Sequence, residues 1–233
     1  MITLVTPTRG RPGAFALTER WIARQVHDDD DIQWIVVNDG EPYEYTGNQL
    51  VVQREVSTDE GPRSSLARNL LAAIPHIKGE IVCIIEDDDW YAPDYLQCHR
   101  TALRKVELSG FTPNNHFNLR YHRWRSWVPG DWACLGSTAF RGELIPMFTE
   151  LLKVKAADEA YTIDVSLWKA PVSRVRLKSY HPKHVGLKGL PGTSGYGVGH
   201  KEIGLYDGHN LQLKEWIGPE DAQAYIDLMA RGK

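Results

Sequence analysis

Four consecutive acidic residues, Glu86, Asp87, Asp88 and Asp89, follow a run of apolar residues at positions 81–85. The apolar run predicts a strand that is buried on both faces. Carboxylates placed side by side repel one another, and a divalent cation among them would relieve that repulsion. Hard oxygen ligands favour Mg²⁺, Mn²⁺ or Ca²⁺ over zinc. A solvated acidic turn accounts for the same residues equally well, so the run by itself leaves both interpretations open.

Segments typical of strands and of helices alternate in the first half of the chain. The strand-like segments are residues 2–5, 32–37, 50–54 and 81–85, and the helix-like segments are residues 15–26, 63–73 and 95–109. This order indicates a parallel, doubly wound α/β sheet. Polar residues follow three of the strands, at 6–11, at Asp39 and at the acidic run. Because ligands bind at the carboxyl ends of parallel strands, we expect these residues to meet in one cleft.

The second half of the chain has a less regular pattern. Antiparallel strands are expected at 116–124 and 132–140, and a further strand at 172–177. Helices are expected at 142–153, at 158–168 and from residue 219 onward. Residues 186–200 contain six glycines and predict a flexible loop.

Composition is ordinary for a soluble globular domain, with 42% hydrophobic and 24% charged residues in 233. A formal net charge of −3 argues against binding polyanions through overall charge. Three cysteines, Cys83, Cys98 and Cys134, have neither metal-ligand spacing nor the pattern of a disulfide framework. The chain starts on a strand-like run, and no apolar stretch reaches the ~18 residues of a membrane span. We therefore expect a cytoplasmic protein without membrane contact.

Four short motifs occur in order along the first half. They are Thr-Pro-Thr-Arg at 6–9, Val-Val-Asn-Asp-Gly at 36–40, Ser-Ser-Leu-Ala-Arg-Asn at 64–69 and the acidic segment at 86–96. Together they resemble glycosyltransferase family 2, the nucleotide-sugar-dependent enzymes with a GT-A fold. The last motif is similar to the metal-binding DxD segment of that family, including Pro93 and Leu96. The resemblance is close up to this segment and loose in the second half.

The resemblance implies a single GT-A domain over residues 1–233. Its Rossmann-like central sheet would be mostly parallel and flanked by helices, with a smaller antiparallel part on the acceptor side. Residues 1–110 would form the nucleotide-sugar-binding half. Residues 111–233 would form the acceptor-binding half, with a C-terminal loop and helix.

Donor-binding roles follow from the same resemblance. The implied donor-binding residues are Thr6, Pro7, Thr8, Arg9, Arg11, Asp39, Arg68, Glu86, Asp87, Asp88 and Lys188. Asp39 would pair with the nucleobase, and Arg68 with Asp39 or a phosphate. Glu86 or Asp87 would meet the ribose, while Asp88 and Asp89 would hold Mn²⁺ or Mg²⁺. A four-residue acidic run allows two registers against the DxD motif, and both stay open.

Plainer roles remain open for several of these residues. Asp39 before Gly40 is typical of a turn. Arg68 would equally suit a surface ion pair, and Arg9 and Arg11 would equally suit solvent.

A catalytic base is implied near the start of a helix in the second half. The segment at 162–168 resembles the family's acidic motif, which makes Asp164 the expected base, with Asp158 and Glu159 in reserve. Thr162 would cap the helix. The family's usual Glu-Asp pair is absent because Ile163 precedes Asp164. An ordinary first-turn acid, favoured by the helix dipole, is the alternative for Asp164.

A late histidine and the glycine-rich segment complete the expected site. Many family members add a histidine to the metal, and His184 fits better by position than His181 or His200. The loop at 186–197 would close over the donor, with Lys188 near the diphosphate. An undirected surface loop is the alternative.

The implied function is metal-dependent, inverting transfer of a hexosyl or pentosyl group from a nucleoside-diphosphate sugar, with UDP-linked donors expected. The molecule that carries the acceptor hydroxyl stays open: a glycan, a small molecule or modified DNA. Basic strips at 120–125 and 174–178 would suit a polyanion, or would simply be charges on exposed strand faces. Two rival functions remain: a sugar-phosphate nucleotidyltransferase and an inactive nucleotide-sugar-binding module.

Overall fold

The structure, a computed structural model, describes residues 1–26, 32–57, 60, 65–158, 162–192 and 204–231. The strands are β1 (Ile2–Thr8), β2 (Ile32–Asn38), β3 (Leu50–Gln53), β4 (Ile81–Ile84), β5 (Trp90–Tyr91), β6 (Leu108–Thr112), β7 (Asn114–Asn118), β8 (Arg123–Trp127), β9 (Thr138–Arg141), β10 (Arg174–Lys178), β11 (His184–Lys188) and β12 (Leu205–Tyr206). The α-helices are α1 (Pro12–Ala23), α2 (Ser65–Ala73), α3 (Tyr95–Ala102), α4 (Ile145–Ala157), α5 (Ile163–Trp168), α6 (Leu211–Ile217) and α7 (Pro219–Arg231). None of the helices in these ranges combines the length and the apolar character that crossing a bilayer requires.

A seven-stranded sheet forms the centre, in the order β10-β6-β9-β4-β1-β2-β3. The pairs β1–β2, β1–β4, β2–β3 and β6–β10 are parallel, and β9 runs antiparallel between β4 and β6. The parallel pairing places the carboxyl ends of β1, β2 and β4 side by side. The predicted mostly parallel α/β sheet with a smaller second part is therefore confirmed.

Strand β4 is buried on both faces, as its run of branched apolar residues predicts. Val82, Cys83, Ile84 and Ile85 are each no more than 1% exposed. Val82 and Ile84 pack in the core cluster shared with α2 and α4, whereas Cys83 and Ile85 pack with residues of α1 and α7. Each fully buried side chain of this size contributes about 1.5–3 kcal/mol. The strand therefore holds the start of the acidic run in a fixed position.

A second sheet has five strands, in the order β12-β8-β7-β11-β5. Its strand β5 directly follows the acidic run. Strand β11 runs antiparallel to β5, with His184 opposite Tyr91, and parallel to β7, with Lys188 opposite Asn118. This pairing brings the end of β11 beside the acidic run although almost 100 residues separate them in the chain.

Several predicted elements of the second half are wrong. Helix α3 ends at Ala102, and residues 108–112 form strand β6 instead of continuing the helix. Of residues 132–140, only the last three join a strand, β9, and it inserts into the central sheet, while β7 pairs with β8. At residues 108–109, where the sequence predicts a helix, pairing with distant strands overrides local helix propensity.

Other boundaries also differ from the prediction. Residues 186–188 belong to β11 and are not loop, because their backbone pairs with β7. Residues 193–200 of the predicted loop lie outside the described residues. Helix α5 begins at Ile163 and not at 158, and α6 was not predicted. The last helix, α7, is confirmed from Pro219.

Asp221 of α7 joins that helix to two other elements. It is 6% exposed and accepts hydrogen bonds from Trp90 Nε1 (2.7 Å) in β5 and from Arg24 Nη1 (3.0 Å) after α1. We predict that Asp221→Ala lowers the free energy of unfolding by about 2–3 kcal/mol, because both donors lose their acceptor. Urea denaturation measures this loss.

Asp227→Ala provides the matched control, because Asp227 is exposed on the same helix. This variant should change the free energy of unfolding by less than about 0.5 kcal/mol. Equal losses in the two variants would contradict the role given to Asp221.

Candidate active site

The acidic run forms the turn between β4 and β5. Ile85 N–H donates to Val5 O (2.9 Å), and Glu86 N–H donates to the hydroxyl of Tyr91 (2.7 Å). The turn sends the four carboxylates in two directions. Asp87 faces the end of β1 and helix α1, and Glu86 and Asp89 face β11. Asp88 lies between the two, because its Oδ2 accepts from Arg11 Nη1 (2.6 Å) and its Oδ1 lies 3.4 Å from Lys188 Nζ.

Asp87 is held by groups from the start of the chain. Thr8 Oγ1 donates to its Oδ2 (2.6 Å), and Arg11 donates to both of its oxygens, with Nε at 3.2 Å from Oδ2. Thr18 Oγ1 of α1 donates to the backbone carbonyl of Asp87 (2.9 Å). Asp87 therefore belongs to the side of the cleft on which the predicted donor-binding residues Thr8 and Arg11 lie.

The other three acidic residues form a second group, which we call the three-carboxylate cluster (Glu86, Asp88 and Asp89). Each offers an oxygen, and these oxygens all lie within 4.8 Å of one another. Lys188 Nζ contacts all three, at 3.0 Å from Glu86 Oε2, 3.1 Å from Asp89 Oδ1 and 3.4 Å from Asp88 Oδ1. Among the described residues this is the one group of three or more metal-ligand side chains at such spacing.

Asp89 is tied to strand β11 by both of its oxygens. Leu187 N–H donates to Oδ1 (3.0 Å), and His184 Nε2 lies 2.8 Å from Oδ2. His184 is buried, and its Nδ1 lies 3.8 Å from Cys134 Sγ. The structure thus brings the predicted histidine to a predicted metal ligand, and of the three candidate histidines His181 is exposed and His200 lies outside the described residues.

Burial and neighbouring charges change the ionisation of this group in opposite directions. Burial raises the pKa of Asp89 well above its usual range, although the charge of Lys188 opposes this. At Asp88 burial again favours the neutral form, but Arg11 and Lys188 outweigh it and lower the pKa. Burial disfavours the Lys188 ammonium, yet the surrounding carboxylates raise its pKa above the usual value.

A divalent cation suits the donor set and the charge of the site. The cluster offers carboxylate oxygens, the ligands that Mg²⁺ and Mn²⁺ prefer. Arg11 and Lys188 face four carboxylates, so two negative charges remain when every group is ionised. Two side-chain cations therefore offset part of the repulsion among the four carboxylates. A bound divalent ion would offset the rest.

Asp39 lies at the end of β2 on the same edge of the sheet. Its buried carboxylate accepts from Arg54 Nη2 (3.0 Å) and from Ser65 Oγ, both at Oδ2. No donor among the described residues lies within hydrogen-bonding distance of Oδ1, and Arg9 Nε is 4.0 Å away. An oriented, buried acceptor with one oxygen available is suited to a ligand N–H.

Arg54 takes the place that the sequence offered to Arg68. Arg54 contacts Asp39, Asn69 Oδ1 (2.6 Å) and Glu60 (2.6 and 2.7 Å). Arg68 is 41% exposed at its side chain, with Nε 4.0 Å from Glu60 Oε1. Asp39 is thus bound by Arg54, and the expected contact of Arg68 with Asp39 or a phosphate stays a prediction.

Asp164, the expected base, lies in the first turn of α5 and is partly buried. Burial raises the pKa of its carboxyl to about 6, the Val165 N–H bond to Oδ1 (2.8 Å) opposes this, and the charge of Glu86 adds to it. A carboxyl tuned towards neutrality suits general-base work. Thr162 precedes the helix but makes no side-chain capping bond, and its hydroxyl instead accepts from Lys155 Nζ (3.1 Å).

Two groups of predicted residues remain: Thr6 and Pro7 of the donor site, and the two reserve bases. Thr6 and Pro7 lie within β1, where the Thr6 hydroxyl accepts from Trp34 Nε1 (2.9 Å). Of the two reserve bases, Asp158 is exposed at the end of α4, and Glu159 lies outside the described residues.

Comparison with known proteins decides the family. The sequence model of glycosyl transferase family 2 matches residues 3–133, more than half of the chain. The chain belongs to glycosyl transferase family 2. The resemblance inferred from the four motifs is thereby confirmed, and the match to this family includes the acidic run, Asp39 and β1. No curated protein matches the chain significantly.

Solved structures share the fold of this family 2 chain at low sequence identity. A crystal structure of S. aureus TarS has 14% identity and a TM-score of 0.55, over 81% of this chain and 37% of that one. TarS 1-349 in complex with UDP has 11% identity and a TM-score of 0.57, over 80% of this chain and 60% of that one. The UDP-GlcNAc complex of TarS 1-349 has 16% identity and a TM-score of 0.51, with 80% and 58% covered. The chain thus spans between 37% and 60% of the length of these proteins, and the likeness is one of fold.

Arg54 and Ser65 are not among the predicted site residues of this family 2 chain. A positional signal for Arg54 exists in the sequence, because it is the last residue of the strand-like run at 50–54 and so reaches the same sheet edge as Asp39. Ser65 belongs to the third motif, where the sequence draws attention to Arg68 instead. The partner of Asp39 depends on how α2 sits over β3, which the sequence does not specify.

We predict that Arg54→Met lowers the free energy of unfolding by about 2–3 kcal/mol, because it leaves the buried carboxylates of Asp39 and Glu60 without their shared cation. Thermal or urea unfolding measures the change. Arg9→Met is the control, because Arg9 is 47% exposed and only 4.0 Å from the same carboxylate. Its effect should stay below about 0.5 kcal/mol. A larger loss for Arg9→Met than for Arg54→Met would contradict this assignment.

Proposed function

We propose that the protein is a metal-dependent, inverting glycosyltransferase that moves a sugar from a nucleoside-diphosphate sugar to an acceptor hydroxyl. One observation carries the proposal. In a family 2 fold, a three-carboxylate cluster and a buried Asp39 with an available oxygen lie at the same edge of the central sheet. These are the two contacts that a nucleoside diphosphate needs, one for its base and one for its charged phosphates.

Asp39 recognises the nucleobase in this proposal. Its Oδ1 accepts an N–H of the base, while Arg54 and Ser65 hold Oδ2 and so orient the carboxylate. Uracil offers such an N–H, and the TarS structures with UDP and UDP-GlcNAc support a uridine donor by likeness of fold. Asp87, bound by Thr8 and Arg11, lies between the base and the cluster and suits the ribose.

Glu86, Asp88 and Asp89 would hold the divalent cation, with His184 at the far oxygen of Asp89. The chemistry that such a cation supplies is neutralisation of the charge that grows on the diphosphate as the glycosidic bond breaks. Arg11 and Lys188 add positive charge directly beside these carboxylates.

Asp164 acts as the base. It takes the proton of the acceptor hydroxyl as that oxygen bonds to C1 of the sugar, while the bond from C1 to the diphosphate breaks and the nucleoside diphosphate leaves. Attack opposite the leaving group inverts the configuration at C1. Partial burial and the charge of Glu86 support this role, because they raise the proton affinity of Asp164.

The acceptor is a glycan or a small molecule in preference to modified DNA. Arginines of both basic strips donate to backbone carbonyls of the protein: Arg123 to Gly204, Arg174 to Ala170 and Arg176 to Pro129. These three guanidinium groups bind the protein's own backbone, which supports an acceptor other than a polyanion. We further propose one domain over 1–233, with donor contacts in 1–110 and acceptor contacts in 111–233.

Titration calorimetry with UDP tests the donor site directly. We predict that Mn²⁺ tightens UDP binding at least about tenfold in the unmodified protein and has little effect on Asp88→Asn, which loses one ligand charge. Asp94→Asn serves as the control, because Asp94 pairs with Lys183 outside the cluster. UDP binding of equal strength in Mn²⁺ and in chelator would refute metal dependence. Turnover of a sugar 1-phosphate with a nucleoside triphosphate would instead identify a nucleotidyltransferase.

Asp164→Asn should leave UDP binding unchanged and slow sugar transfer by about 10²–10⁴-fold, because an amide accepts no proton. Transfer by the unmodified protein should fall as the pH drops through about 6, since the base works only when ionised and its pKa is raised to about 6. Rates measured from pH 5 to 8 with a screened donor check both. Undiminished transfer by Asp164→Asn would remove the base assignment.

A further inference from the structure

The ammonium group of Lys188 lies at the centre of the three-carboxylate cluster. Its three N–H bonds meet three different carboxylates, at 3.0, 3.1 and 3.4 Å. The lysine side chain is 17% exposed, and the side chains of Asp88 and Asp89 are 6% and 2% exposed. Lys188 is thus a nearly buried cation, and the oxygens that it engages come from the same three side chains that would bind a metal.

Lys188 and a divalent cation exclude each other at this point. A metal bound by carboxylates takes oxygens at about 2.0–2.6 Å, so it must occupy the middle of the group. The ligand atoms lie within 4.8 Å of one another, so a metal among them would lie close to the position of Lys188 Nζ, which contacts an oxygen of each of the three side chains. Repulsion between two cations at such close range adds to the steric conflict.

Strand pairing fixes the backbone of Lys188, whereas its side chain can adopt another conformation. Lys188 pairs with Asn118 of β7, and the neighbouring Leu187 N–H donates to Asp89. The four-carbon stem of a lysine can swing its charge by several ångströms without moving the strand. A diphosphate bound at the cluster would present oxygens to the released ammonium.

We propose that Lys188 is an internal counter-cation that competes with the metal for Glu86, Asp88 and Asp89 and passes to the diphosphate when the metal binds. The inference rests on the proposed donor and metal site. It implies that the metal alone binds weakly, because without a diphosphate the displaced lysine ammonium has no new anionic partner. It also implies that metal and nucleoside diphosphate bind cooperatively, and by linkage each strengthens the other to the same extent.

Titration of Mn²⁺ followed by the electron paramagnetic resonance signal of the free ion tests this without sugar transfer. Lys188→Met should bind Mn²⁺ alone at least about tenfold more tightly than the unmodified protein. UDP should tighten Mn²⁺ binding at least about tenfold in the unmodified protein, and less than about threefold in Lys188→Met. Lys183→Met is the matched control and should behave as the unmodified protein, because Lys183 pairs with Asp94 ahead of the same strand.

Folding of the variant is checked independently. Lys188→Met leaves Glu86 and Asp89 without the lysine and Asp88 with Arg11 alone, so Lys188→Gln, which keeps a hydrogen-bond donor, is titrated alongside it. Mn²⁺ should raise the melting temperature of both variants more than that of the unmodified protein.

Unchanged or weaker Mn²⁺ binding by both folded variants would overturn the inference. Absence of Mn²⁺ binding in all proteins, with or without UDP, would overturn it together with metal dependence. Competition between Lys188 and Mn²⁺ in a protein that transfers no sugar from any donor would support the inference and remove the proposed function alone.

Discussion

Repulsion among four carboxylates at the end of a buried strand is the constraint around which this cleft is built. Strand β4 packs on both faces and so cannot move the acidic run into solvent. The charges are offset by groups from distant parts of the chain: Arg11 and Thr8 on one side, and Lys188 and Leu187 N–H on the other. Because these groups come from β1, its following loop and β11, balancing the charge also joins the central sheet to the second sheet.

The two directions taken by the acidic side chains separate two chemical tasks. Asp87 accepts hydrogen bonds from Arg11 and Thr8. Glu86, Asp88 and Asp89 surround Lys188, and Asp88 also accepts from Arg11. Within the turn Glu86 and Asp89 thus lie together at Lys188, Asp87 lies at Arg11, and Asp88 contacts both cations.

Environment also gives the carboxylates of the cleft different proton affinities. Asp88 lies beside two cations, which hold its pKa low, while Asp164 is partly buried near Glu86, which raises its pKa to about 6. One carboxyl group is thereby kept ionised, and the other titrates closer to neutral pH. The two aspartates differ in proton affinity because burial and neighbouring charge differ between the two positions.

The sequence by itself determined the features that depend on neighbours in the chain. The apolar runs of β1, β2 and β4, the acidic run after β4 and the amphipathic pattern of α7 are all readable locally, and motif order indicated the family. Only the tertiary structure decided that Arg54 holds Asp39, that β9 inserts into the central sheet, and that Lys188 lies among carboxylates 99 to 102 residues away. Such contacts follow from strand pairing and burial between distant segments, and no local spacing in the chain encodes them.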